Sequence, residues 1–173
     1  MTLLDRALSE AHHDVLDRAD DFVAETLAPR TEAIERSGEF PRDVVEAAGD
    51  AGLLGILVPE EYGGVGGDFL SYCVALERVA EESGAVAEII QGHTFATLPV
   101  LNFGTDAQRE RLLPGMVSGE SVGALLLTEP GAGSSPTELG TVAEATDDGY
   151  RISGEKSFGT NAGVADVHLV VAR

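Results

Sequence analysis

The chain has 173 residues, 43% apolar and 24% charged, a balance that fits a folded globular protein and excludes a disordered one. Thirty acidic residues against eleven basic ones give a formal net charge of −19, so no basic patch exists to neutralise a nucleic-acid backbone. No apolar run reaches the ~20 residues of a membrane span, and the single cysteine, Cys73, excludes an internal disulfide and argues against a metal cluster. Lys156 is the only lysine; every other cationic side chain of the eleven is arginine. The acidic surface reads either as ordinary solvation or as adaptation to high salt, since at ~1 M the Debye length of about 3 Å mutes self-repulsion. Met1 to Asp20 carries acidic residues where a signal peptide has a basic start and an apolar centre, which predicts a cytoplasmic protein.

Along the chain, Leu4, Leu8, Ala11, Val15, Ala19 and Phe22 recur at steps of three and four, one stripe of an amphipathic helix. In "FPRDVVEAAGDAGLLG", Pro41 stands where a helix begins and Gly52 where it could end. "VPEEYGGVGGD" is a glycine-rich loop, with Tyr62 and its glycines shaping an interdomain connection. Phe69, Tyr72, Cys73, Leu76 and Ala80 form a second helical stripe, and an apolar helix is expected from Ala85 to Leu101. Thr105 with Gln108 predicts a capping box opening a short helix.

After Gly119 the texture changes. Val122 to Leu127 is a short apolar run that predicts a buried strand. "GTVAEATDDGYRISG" predicts two strands joined at Asp148-Gly149, and "ADVHLVVAR" a further strand, whose open edge is a liability unless covered. The pattern is α+β: a helical domain over 1–118, then the beginning of a β domain over 119–173.

The stretch "LLLTEPGAGSSPTEL" (125–139) ends an apolar strand on a loop of bare backbone and small hydroxyls. Spacing alone reads it first as a glycine turn between strands. The other reading is a cradle, in which exposed N–H groups and the hydroxyls of Thr128, Ser134 and Ser135 hold ligand oxygens. "GAGSSP" lacks the third glycine of a dinucleotide fingerprint, and no Gly-Lys-Ser/Thr follows to make a P-loop.

"TEPGAGS" resembles the signature segment of the acyl-CoA dehydrogenases, flavoenzymes that desaturate acyl thioesters. "PEEYGGVGG" (59–67), "TLPVLNFGTDAQRERLLPGMVSGE" (97–120) and "ISGEKSFGTNAGVADVHLVVAR" (152–173) resemble successive landmarks of the same family, in order. The resemblance implies a helical N-terminal domain, then the first half of a β-barrel or sandwich-like middle domain, with FAD as cofactor and acyl-CoA as substrate. It implies that Leu125, Leu127 and Thr128 meet the flavin through backbone and hydroxyl. Phe158 would shield a ring face, Thr160 would hydrogen-bond the flavin, and Ser134 would touch the acyl-CoA. Ser135 stands where an aspartate is usual in the family, Phe158 where a tryptophan is, and Leu125 where an aromatic often is.

In this family the catalytic glutamate lies in a C-terminal helical bundle, absent here, so no catalytic residue is expected among these 173. Glu129 is read as structural. The chain then reads as a truncated or split dehydrogenase component, with a second polypeptide supplying the rest and an electron-transfer flavoprotein as the usual electron acceptor. The alternative is a non-catalytic remnant or interaction subunit that binds no flavin. His12 and His13 are read as solvated, His93 as packed or capping, and His168 as satisfied or exposed. No spacing among Cys73 and the histidines suggests a metal site.

Overall fold

The computed structural model describes residues 8–173, the Pro136 side chain excepted. The first helix, α1 (Glu10–Phe22), starts at a reciprocal cap. The Ser9 hydroxyl accepts from the His12 N–H, and His12 Nδ1 accepts from the Ser9 N–H at 2.9 Å. His12 Nε2 also lies 3.0 Å from Asp68, so this histidine is a tie between helices where solvation alone was expected. The predicted stripe holds at Val15, Ala19 and Phe22, which are buried; Ala11 is exposed, and Leu4 lies outside the described residues.

A wider turn over Val23–Leu27 leads to α2 (Thr31–Ser37) and α3 (Arg42–Asp50), the latter capped by Pro41. The sequence reading contains no α2. Only Ile34 of its seven residues is buried, which leaves no periodicity to read. The glycine-rich loop folds back within the helical region, pairing Val65, Gly66 and Gly67 with the backbone of residues 55–58.

Next comes α4 (Phe69–Glu82), where the expected stripe is displaced. Tyr72 is buried, but Phe69 is 64% exposed, and Cys73 and Ala80 face outward. The buried face is instead Ser71, Tyr72, Val74, Ala75 and Val79. The segment carries two overlapping apolar stripes, and packing against both α1 and the next helix selects the other one.

That helix, α5 (Gly84–Phe103), is the axle of the molecule, with buried residues on several faces. It touches α4, the short helix α6 (Asp106–Ser118), and the first and last strands. The predicted Thr105–Gln108 capping box is present at the start of α6. Ala19, Leu27, Val44, Val45, Ala48 and Val86 are fully sealed in the core. Each large aliphatic side chain so buried contributes roughly 1.5–3 kcal/mol.

The strands are β1 (Gly123–Leu126), β2 (Val142–Thr146), β3 (Gly149–Ser153) and β4 (Val167–Val170). β1 and β4 pair in parallel, with Gly123 opposite Val167, and β2 and β3 form the predicted hairpin. Its turn is Asp147-Asp148, one residue earlier than expected, and Gly149 opens β3 at φ 146°. The Ala143 N–H donates to the Arg173 carbonyl at 2.9 Å and the Arg173 N–H to Thr141 at 3.1 Å, so the chain beyond β4 reaches the hairpin and joins the two sheets. Between α5, α6 and β4 runs an open apolar groove of about 800 Å3, bordered by Val100, Phe103, Leu112 and Leu169.

Candidate functional site

A second cavity, about 260 Å3, lies where β1 meets α5. Its walls come from three segments: Glu88, Gly92 and Phe95 on α5, Leu125, Leu127 and Thr128 at and just beyond the end of β1, and Ser157, Phe158 and Thr160. Leu125, Leu127, Thr128, Phe158 and Thr160 therefore share one cavity. Ser134 does not join them: it is exposed on the loop after the Glu129–Ala132 bridge. Gly131 and Gly133, beside it, have open space around them.

The three walls are sewn together. The Gly123 N–H donates to Nδ1 of His93 at 3.0 Å, fastening β1 to α5. His93 is fully buried, and burial holds its imidazole neutral with a pKa lowered to about 4. Asn161 Nδ2 donates to the Ile89 carbonyl at 3.0 Å and to the Gly123 carbonyl at 3.2 Å, fastening the third segment to both others. At Gly92 an added Cβ would lie 2.7 Å from Thr160 Cγ2, and at Gly159 one would lie 2.5 Å from Leu126 Cδ2. Both glycines let the walls approach more closely than any other residue allows.

Phe158 has a left-handed backbone (φ 57°) and a ring 94% exposed. A non-glycine residue in that conformation stores strain of roughly 1–3 kcal/mol, a feature that clusters at ligand-binding sites. The Thr160 hydroxyl donates to Glu88 Oε1 at 2.8 Å, which leaves its oxygen free only to accept.

Behind the cavity lies an ion pair. Lys156 Nζ donates to Glu129 Oε1 at 2.7 Å, with side chains only 9% and 8% exposed. Glu129 also accepts from the N–H groups of Gly140 (2.6 Å) and Thr141 (2.9 Å). The Lys156 ammonium, with these hydrogen bonds, lowers the Glu129 pKa to about 2. This is the structural role expected for Glu129.

Among the described residues no group of acidic, histidine or cysteine side chains could hold a metal ion, and no helix is long and apolar enough to cross a membrane. Sequence reading missed Glu88, Gly92, Phe95 and Ser157. The first three stand at i, i+4 and i+7, one face of α5, and Glu88, the only acidic residue of that helix, is the signal that marks that face.

The family model for the acyl-CoA dehydrogenase N-terminal domain matches residues 9–120, and that for the acyl-CoA dehydrogenase middle domain matches 124–173. The chain belongs to the acyl-CoA dehydrogenase family. It is 40% identical over 153 residues to an acyl-CoA dehydrogenase of Bacillus subtilis, covering 88% of this chain and 40% of that protein. An acyl-CoA dehydrogenase of Bacillus anthracis, solved in complex with FAD, superposes with a TM-score of 0.88 at 34% identity, over 100% of this chain and 30% of its own. A chain of the electron transferring flavoprotein structure from Acidaminococcus fermentans superposes with a TM-score of 0.90 at 34% identity, over 95% of this chain and 44% of its own. The chain thus spans about two-fifths of the length of the curated relatives it matches. As those relatives lead one to expect, it is helical first and then forms a small sheet region.

Proposed function

We propose that the chain forms one wall of the FAD and acyl-CoA site of an acyl-CoA dehydrogenase. The observation that carries this reading is the cavity itself: two stretches distant in sequence, 125–128 and 157–160, meet there. The residues present fit a flat, polar-edged group. Phe158 offers an exposed ring in a strained backbone, Thr160 offers an oxygen, and the Thr128 hydroxyl takes no protein partner among the described residues. At about 260 Å3 the cavity is smaller than the usual ~300–1,000 Å3 of a complete small-molecule site, in keeping with one wall of a larger one.

In this reading Leu125 and Leu127 give the ring an apolar bed, Thr128 hydrogen-bonds its edge, and Phe158 shields it from water. Ser134, on the exposed loop, reaches the thioester. When bound, FAD supplies the hydride acceptance that an acyl α,β-desaturation needs. The chain assigns no carboxylate to proton abstraction: Glu129 is held in its ion pair, and Glu88 is engaged with Thr160. The base and the remaining cofactor contacts come from polypeptide beyond these 173 residues, in the same or a second chain. The 800 Å3 apolar groove beside β4 is the face against which that polypeptide packs. Electrons pass on to an electron-transfer flavoprotein, in the cytoplasm.

A second reading, a subunit that binds no flavin, is favoured by one observation: Thr160 has already given its only proton to Glu88. The two readings separate on substitution. In the assembled enzyme, Thr128→Ala and Ser134→Ala are expected to lower flavin retention and turnover respectively, each by about tenfold, the value of one hydrogen bond to a bound ligand. Unchanged retention and turnover in both variants would rule the proposal out.

A further inference from the structure

We propose that Lys156 is a positioning residue: its ammonium group, locked between Glu129 and the Leu127 carbonyl, sets the spacing of the two backbone stretches that wall the cavity. The clamp rests on its own geometry, and only the identity of the ligand rests on the function proposed above.

Residues 154–163 form neither helix nor strand, so side-chain and single backbone ties must hold them. Lys156 Nζ donates to the Leu127 carbonyl at 3.0 Å, and the next residue, Ser157, donates its N–H to the Thr128 carbonyl at 2.8 Å. Two consecutive residues thus grip two consecutive carbonyls, one through a side chain and one through the backbone. Glu129, immediately beyond, anchors the ammonium from the other side and is itself pinned by the N–H groups of Gly140 and Thr141. The loop after β1, the start of β2 and the Phe158 segment therefore converge on one charge.

The chain's use of cations points the same way. Among the described residues the arginine ion pairs, those of Arg30, Arg36, Arg42, Arg78 and Arg109, all involve a carboxylate that is at least 45% exposed. The single lysine occupies the one pair in which both partners are sealed. A guanidinium presents a rigid planar fork, whereas an ammonium is a compact point with three rotatable donors. Two acceptors only two residues apart, one a backbone carbonyl and the other a carboxylate, in a space closed to solvent, call for the compact group. Breaking such a buried pair by removing one partner is costly, because it leaves the other charge uncompensated.

The test uses the full chain with FAD as probe and two readouts. One is amide hydrogen exchange at Ser157, whose N–H reports the spacing directly. The other is FAD affinity by fluorescence, together with the side-chain signal of the sole lysine in chain labelled with 15N-lysine. Lys156→Met is expected to lose Ser157 protection and FAD affinity by at least about tenfold each, while the amides of α1 and α5 stay protected. In the wild type the lysine signal is expected to shift when FAD is added, a response that a purely structural role would not give. Retained Ser157 protection in Lys156→Met overturns the proposal, as does unchanged FAD affinity or an unmoved lysine signal in a chain that binds FAD. If the wild-type chain by itself binds no FAD, the FAD readouts pass to the assembled enzyme, where the proposed function is tested, and Ser157 exchange alone decides the clamp. If Lys156→Met does not fold, Lys156→Arg carries the same readouts: it keeps the charge but is expected to loosen Ser157, and wild-type protection there overturns the proposal.

Discussion

His93 is the one histidine among the described residues with no solvent exposure, and its buried imidazole accepts the Gly123 N–H that fastens β1 to α5. Its folded pKa of about 4 lies below the ~6.5 of an unfolded histidine, so the unfolded chain binds the proton first. The stability His93 provides is therefore complete above about pH 6.5 and is lost as pH falls towards 4, on the order of 3 kcal/mol in all. His93→Gln keeps an acceptor for Gly123 and removes the titration. Denaturant melts at several pH values are expected to show the wild type losing stability relative to this variant across that window; parallel curves would contradict the assignment. Glu129 adds a lower window, from about 4.5 down to about 2, because its lowered pKa makes its stabilisation present above the upper value and lost below. At this scale much of the site was legible. Thr128, Phe158 and Thr160 could be named because motif words carry them, and a lone lysine in a chain of arginines is visible in composition. The role of Glu88 was not legible, since the contact that gives it meaning, to Thr160, spans residues far apart in sequence and depends on the packing of α5 on β1. Glu88→Ala frees the Thr160 hydroxyl to donate and removes a negative charge from the cavity. FAD titrations are expected to show tighter binding by several-fold; weaker binding would make Glu88 part of the ligand's shell.

Helices and strands followed from local rules wherever those rules had one solution. The Thr105 cap and the β2–β3 hairpin are such cases, because a capping box and an acidic-glycine turn carry their own hydrogen-bond logic. Truncating Thr105 to alanine is expected to cost about 1 kcal/mol of stability, read by thermal or urea melting, and no change would mean the cap is idle. The buried face of α4 did not follow, since two apolar stripes compete there and only contact with α1 and α5 decides between them. Nor did α2, whose short span buries a single side chain. On α5 the local and tertiary preferences conflict at Gly92. Alanine would gain about 1 kcal/mol in an exposed helix, but here its Cβ would sit 2.7 Å from Thr160. Gly92→Ala is therefore expected to keep its helical circular dichroism while FAD affinity falls. Unaltered affinity would show that the Thr160 segment gives way without harm.

At the scale of the molecule, a helical body presents a small pair of sheets on one side, and the cavity lies at the junction. The succession of a helical part by strands was readable from periodicity and turn signals, α2 excepted. The parallel pairing of β1 with β4 and the apolar groove beside it were not, because they join segments far apart in the chain. The net charge of −19 acts on the whole body. Self-repulsion is felt over the ~10 Å Debye length of 0.1 M salt and is muted at ~1 M, so the melting temperature is expected to rise with added potassium chloride. A fall over that range would show that surface repulsion is not what limits stability. The central claim is that the 125–128 and 157–160 walls hold a flavin, and its most direct measurement is the visible spectrum of the native protein purified from its own cells in concentrated salt, with intact masses of whatever co-elutes. The account predicts a yellow assembly, whose flavin is lost when Thr128 is replaced by alanine. A colourless protein whose spectrum is unchanged by added FAD would contradict it.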